Sequence, residues 1–338
     1  MTPDNSIARS RSGVRNRLHN LYRKRILSPA CRVLLRDNDR EMSHSILVAG
    51  APRSGTTWIA EYLETALRAR LLFEPFVAQL VPQFSHMRPF HYARPEVRDD
   101  PLFAFCQSAF DGSLRSPWVD KNLTTARPRC RIVKSIRSNL MLPWIRHNFP
   151  EVPALFIIRH PCAVVLSRMH YGWTPDEDLN DLLAQTHLIE DHLSRHMNTI
   201  RAATTPEQKH AVLWCIMNLV PLQQLGYEAL NPLHYECLYS ETANLTPILA
   251  TALQRDAATF RHGKGDRPSR TTTSQSPVKR GTNNLTHWRE NLSPEVIRQI
   301  LDVVAAFELD WLYDENPFPL RPGTASLCNS GFMPARPA

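Results

Sequence analysis

The chain has 338 residues, with 40 Lys and Arg against 32 Asp and Glu, a formal charge of +8 and 43% hydrophobic content. That is the make-up of a globular protein with one large core or two small ones. No run of about eighteen apolar residues occurs, which excludes a spanning helix defined by hydropathy. The cysteines at 31, 106, 130, 162, 215, 237 and 328 lie far apart, which reads as a reduced, cytoplasmic chain.

Residues 1–43 hold ten Arg and Lys against four Asp and Glu, so this basic arm supplies about +6 of the net charge. Val14, Leu18, Leu21, Tyr22 and Ile26 fall near helical spacing among arginines. Contact with an anionic membrane surface, an acidic partner or nucleic acid, or an organelle presequence, fits such a stripe. The simpler reading, a solvated tail whose stripe packs on the domain, is preferred. Arg32 and Arg36 interrupt the early apolar stretch, so no secretory signal is expected.

A first strand is expected at 45–49, and the loop from Gly50 to Trp58 (Gly-Ala-Pro-Arg-Ser-Gly-Thr-Thr-Trp) opens onto a helix with a stripe of Trp58, Ile59, Tyr62, Leu63, Ala66 and Leu67. Backbone N–H groups converge at such a strand-to-helix turn and the helix N-terminus adds partial positive charge, which together suit a phosphate. The spacing of Gly50, Gly55 and Thr57 fits the nucleotide loop G-x-x-x-x-G-K-[ST], but Thr56 stands at the lysine position and the cation is Arg53. Further strands are expected at 71–73, 131–134, 154–158 and 233–236. Helices are expected at 162–170, 178–200 and 207–225, the last bent or ended near Pro221. A final helix follows Ser293 as N-cap and Pro294. This alternation implies an α/β three-layer fold, a parallel sheet with helices on both faces, spanning residues 44–320 with a tail at 321–338. Gly50, Lys134 and Arg159 would then emerge beyond the carboxyl ends of the strands, where such sheets bind ligands.

The strand at 154–158 ends in Arg159, where a triphosphatase would often carry a magnesium-binding Asp. Arg159, with the Ser167 hydroxyl on the helix beyond it, suits a second phosphate held without metal. These two motifs, about a hundred residues apart, resemble those of the sulfotransferases that use 3′-phosphoadenosine-5′-phosphosulfate. The likeness extends to Lys134-Ser135-Ile136-Arg137, to Leu233-His234-Tyr235-Glu236 and to the stretch from Trp288 to Glu295, and leans toward carbohydrate-type and bacterial relatives.

The resemblance implies a P-loop-type fold and sulfuryl transfer to a small-molecule, glycan or lipid hydroxyl. Arg53, Ser54, Gly55, Thr56 and Thr57 would hold the 5′ side of the donor, and Arg159 and Ser167 its 3′-phosphate. Trp58, or less favourably Tyr235, would stack on adenine. Arg53 and Lys134 would meet the charge developing on the leaving oxygen. The base is expected to be Glu74, in Phe73-Glu74-Pro75-Phe76, with His86 and His91 as alternatives; Ile136 stands where one branch of the family has its catalytic His. Residues 261–284 carry six Lys and Arg and almost nothing apolar. Lys279-Arg280-Gly281 partly matches the element that closes over the nucleotide, which would bring Arg280 to the 3′-phosphate.

Two other classes compete. A P-loop kinase shares the fold but needs the missing lysine and strand-end Asp. A nucleic-acid-binding protein would use the basic segments, yet no reader motif is visible, so no nucleic acid is expected. His192 and His196, one turn apart, lack a third ligand, and no metal is expected.

Overall fold

The strands form where β-branched and leucine residues crowd a short run between polar turns, and each is buried on both faces, as helix-covered parallel strands must be. In the computed structural model, which describes residues 28–261, 269–270, 285–321 and 323, they are β1 (Ser45–Gly50), β2 (Arg70–Phe73), β3 (Arg131–Ser135), β4 (Ala154–Ile158) and β5 (Leu233–His234). All pair in parallel, in the order β2-β3-β1-β4-β5. The strand that feeds the loop is thus central, with Val48 opposite Lys134 on one side and Leu155 on the other.

Alternation along β1 sorts the core into two layers. Ile46 and Val48 meet Ile59 and Leu63 of the helix Thr56–Ala66, with Leu245 and Leu249 of the helix Leu245–Ala252. Leu47 and Ala49 face the other layer, with the helices Asp100–Phe110, Leu142–Asn148, Pro161–His170, Pro206–Leu225 and Pro294–Ala306. The three-layer α/β architecture is therefore as the alternation implied.

Several elements differ from the sequence reading. Residues 178–200 are a broken run: Asp176–Leu183, Thr186–Leu188, a π-turn Ile189–Leu193, a 3-10 turn and Met197–Ala202. The last strand ends at His234, and Tyr235 already begins a helix, Tyr235–Ser240. Pro221 does not end its helix, which runs on to Leu225. Proline has no N–H for the Met217 carbonyl, and the Asn139 side-chain amide donates to that carbonyl instead, at 3.1 Å.

Residues 28–41 lie against the domain. The Ser28 hydroxyl donates to the Lys121 carbonyl at 2.7 Å. Asp37 accepts from Arg70 and from Arg131, both at 2.8 Å, while Arg70 also grips Asp120. These four side chains, all nearly buried, close the amino-terminal ends of β2 and β3. Cys31, Cys106, Cys130, Cys162 and Cys215 are free thiols, but Cys237 is disulfide-bonded, which corrects the expectation of a chain with no cysteine paired. No helix among the described residues is long and apolar enough to cross a membrane.

Candidate functional site

At the crest of β1 the chain turns through two glycines that have no substitute. Gly55, the N-cap of the helix behind the loop, has φ 96°, and a Cβ there would stand 2.4 Å from the Tyr235 ring. At Gly50 a Cβ would lie 2.5 Å from the Ile157 carbonyl oxygen. The loop is therefore pressed onto β4 and onto Tyr235, and the first N–H groups of the helix, which have no intrahelical acceptor, open at its mouth. Ser54 turns its hydroxyl back to the Ala51 carbonyl, at 2.5 Å, so its proton is committed within the loop. Thr56 and Thr57 occupy the first helical turn, both buried.

Arg53 sits inside the loop at φ 74°, a left-handed conformation that costs a non-glycine residue about 1 kcal/mol or more. Three contacts hold it there. Its Nε donates to Ser167 Oγ at 2.9 Å, its guanidinium lies 4.8 Å from the centre of the Tyr171 ring, and its carbonyl accepts from Arg159 at 3.1 Å. Arg159 in turn lies over the Tyr235 ring, at 4.3 Å. The loop cation and the β4 cation are thus joined directly, with Ser167 bonded to the first. Burial, and next the like charge of Arg159, pull the Arg53 guanidinium below its ordinary range. Such crowding of cations is what an anion relieves.

Trp58 and Tyr235 meet edge to face at 5.6 Å, and Tyr235 stacks on Tyr239 at 5.7 Å. Tyr235 is the buried floor beneath Gly55, engaged by Tyr239 and Arg159, whereas Trp58 is half-buried.

On the β3 side of β1, Lys134 is the penultimate residue of β3 and Glu74 directly follows β2; both are buried. Lys134 Nζ bonds Glu74 Oε1, and the Ile136 N–H donates to Oε2 at 3.1 Å. Glu74 has φ 48°, and the backbone that permits this is tied at both ends: its N–H donates to the Lys134 carbonyl at 2.9 Å and its carbonyl accepts from Trp118 Nε1 at 3.2 Å. A carboxylate and an ammonium are thereby fixed beside the loop, between Phe73 and the turn after β3.

A second layer holds these groups. His160, next to Arg159, stacks on Trp288 at 4.3 Å; its Nδ1 accepts from the Cys162 N–H at 3.2 Å and its Nε2 donates to the Asp314 carbonyl at 2.9 Å. Burial drives this imidazole down to about 3. Glu236 accepts from the His160 N–H at 2.9 Å and from the Tyr313 hydroxyl at 2.8 Å. Burial outweighs both bonds and raises its carboxyl above the usual range. On the other side of Ser167, Arg168 donates to His210 Nδ1 at 3.0 Å and to Asp178 at 2.6 Å. His210 is pushed down to about 4, by burial first and by the Arg168 charge second.

The remaining candidates fall elsewhere. His91 lies 3.7 Å from Asp99 and His86 is exposed on the same loop; neither has a contact with Glu74, Lys134 or Arg53. His192 bonds Gln223 and Tyr92, and His196 stacks on Phe307 at 4.4 Å. Among the described residues no group of three or more side chains could hold a metal ion. Cys162 is buried, and burial raises its thiol far above its ordinary range. Arg280 lies outside the described residues. Tyr171 and Tyr313 were missed, since each reaches the site from beside a turn with no motif around it; Trp288 was read as part of the carboxy-terminal stretch of the resemblance, without a role at the site.

No family model matches the sequence, and no curated protein matches it. Solved structures similar to it include two sulfotransferases. A sulfotransferase from Alicyclobacillus acidocaldarius is 13% identical with a TM-score of 0.38, covering 78% of this chain and 93% of its own. The sulfotransferase domain from the curacin biosynthetic pathway is 14% identical with a TM-score of 0.40, covering 78% and 96%. The geometry of the site, not these likenesses, carries the reading that follows.

Proposed function

We propose that the chain is a sulfotransferase that moves a sulfuryl group from 3′-phosphoadenosine-5′-phosphosulfate to a hydroxyl acceptor by in-line transfer without a metal. The observation that supports this most is the convergence of Arg53 and Arg159 on one pocket, joined through the Arg53 carbonyl and flanked by Ser167. Two guanidinium groups at the ends of adjacent strands, with loop amides between, suit a ligand bearing two separated anionic groups. A triphosphate with magnesium suits them less, since Thr56 replaces the clamping lysine and Arg159 the metal-binding carboxylate.

In this reading the loop amides and the Thr56 and Thr57 hydroxyls hold the phosphosulfate, Arg159 and Ser167 hold the 3′-phosphate, and Trp58 offers adenine its face. The acceptor oxygen bonds to sulfur as the bridging S–O bond breaks, and the electron pair leaves on adenosine-3′,5′-bisphosphate. Arg53 and Lys134 stabilise that charge. Glu74 takes the hydroxyl proton on a carboxylate oxygen, and its bonds to Lys134 and the Ile136 N–H fix its aim. Positioning and charge stabilisation are most of what such a loose transition state asks.

Transfer of label from a radioactive sulfuryl donor to a panel of hydroxyl acceptors tests the reading. Glu74→Gln is expected to lower turnover about a hundredfold or more, with stabilisation by adenosine-3′,5′-bisphosphate unchanged. Near-normal turnover in that variant would remove Glu74 from the mechanism.

A further inference from the structure

We propose that Arg137 recognises an oxyanion carried by the acceptor, so that the acceptor is a hydroxyl compound bearing a carboxylate, sulfate or phosphate. The inference rests on the sulfuryl-transfer reading and narrows its substrate class.

Five cations crowd the carboxyl ends of β1, β3 and β4. Lys134 is neutralised by Glu74, and Arg168 by Asp178 with His210 as a second acceptor. Arg53 donates to Ser167, and Arg159 to the Arg53 carbonyl. Arg137 differs. The residue is half-buried, its guanidinium lies 5.4 Å from the centre of the Phe90 ring, and among the described residues no side chain or carbonyl accepts from it. Five donors in a fixed fork are thus partly stripped of water and left with an aromatic face alone, an arrangement that a planar or tetrahedral oxyanion completes with two parallel hydrogen bonds.

The place of Arg137 separates it from the donor. Phe90 belongs to the core layer of the helices Asp100–Phe110 and Pro206–Leu225, whereas Trp58, Tyr235 and Tyr239 pack with the opposite layer. Its charge is felt by Arg168, on that same Phe90 side of the sheet. An adenosine bisphosphate held by the loop, Arg53 and Arg159 lies over β1 and β4 and toward Trp58, so its anionic groups are spoken for. Arg137 stands beyond β3, one residue after the Ile136 N–H that holds Glu74. The turn is rigid, since the Arg137 N–H donates to the buried Ser135 hydroxyl at 3.0 Å. An anion on Arg137 would therefore moor the acceptor beside the carboxylate that takes its proton.

The test uses the full chain saturated with adenosine-3′,5′-bisphosphate, and matched probes that differ in one charge: methyl β-glucuronide against methyl β-glucoside, 4-hydroxyphenylacetate against its amide, and glucose 6-sulfate and 6-phosphate against glucose. Thermal stabilisation and label transfer are read for each. At least one acid is expected to surpass its neutral partner by about tenfold to a hundredfold, as a charge-assisted bidentate pair allows. Which acid does so names the oxyanion. The preference should vanish in Arg137→Gln and survive in part in Arg137→Lys, with the shift caused by the bisphosphate intact in both. Equal response to acid and neutral members in every pair, or a preference that persists in Arg137→Gln, overturns the proposal. Failure of the bisphosphate itself to stabilise the unaltered protein strikes the donor reading first, and this inference with it.

Discussion

His210 and His160 are held neutral chiefly by burial, and that makes the layer beneath the site sensitive to acid. Each imidazole offers its Nδ1 lone pair to an N–H donor, Arg168 for one and Cys162 for the other, and donates from Nε2 to a carbonyl. Neither ring has room for a second proton without breaking a bond. With ordinary values of 6.5 lowered to about 4 and about 3, the contribution of each is complete above 6.5 and is lost as pH falls toward the lowered value. At pH 5 the unfolded chain has bound the proton and the folded chain has not. The gap of about 1.5 pH units at about 1.4 kcal/mol per unit removes about 2 kcal/mol per histidine. Glu236, raised by burial, acts in the opposite sense, being stabilising at low pH and losing that as pH rises through its folded value, so the total change is not the cleanest readout. His210→Gln is: its amide can accept from Arg168 and donate to the Trp173 carbonyl, yet does not titrate. Urea unfolding at pH 7.5 and pH 5 should show the variant losing about 2 kcal/mol less than the unaltered protein. Equal losses would refute the assignment of a neutral, doubly bonded His210.

Other substitutions read other parts of the molecule. Gly55→Ala forces a Cβ into Tyr235 at φ 96°, so affinity for adenosine-3′,5′-bisphosphate should fall on the order of tenfold, about 1.4 kcal/mol, by isothermal titration; unchanged affinity would mean that the loop does not shape the pocket. Asp37→Ala leaves the buried Arg131 charge with backbone carbonyls but without its carboxylate and takes one carboxylate from Arg70, and should lower stability by about 3–5 kcal/mol in urea while bisphosphate affinity stays as it was. A small loss would show that those ends of β2 and β3 are wet.

Much of this arrangement was legible in the sequence where residue type and backbone geometry are tied together. Gly50 and Gly55 mark a turn no other residue can make, and Arg159 follows a run of apolar residues that can only be a buried strand. The strand ends then bring Arg53, Lys134 and Arg159 to one crest, and Glu74 after β2 falls beside Lys134. What escaped depends on tertiary partners. The break of 178–200 into short turns leaves no mark on the 3.6-residue pattern. Pro221 was legible as a helix breaker, but Asn139, 82 residues away, satisfies the carbonyl it orphans. The Arg70, Arg131, Asp37 and Asp120 cluster joins four residues with no common spacing. Tyr235 was the weaker of two candidates for stacking on adenine, after Trp58; that its ring is the floor on which Gly55 rests is something only the fold could show.

The central claim is that one pocket grips the two separated anionic groups of an adenosine ligand through Arg53 and Arg159. Thermal unfolding with adenosine-3′,5′-bisphosphate, beside ATP with magnesium, measures it most directly, because a ligand at a hundred times its Kd adds about 2.7 kcal/mol to stability. The account predicts an upward shift with the bisphosphate that is lost in Arg159→Ala, and none of that size with ATP and magnesium. A larger shift with ATP and magnesium, or a bisphosphate shift that survives in Arg159→Ala, would contradict it.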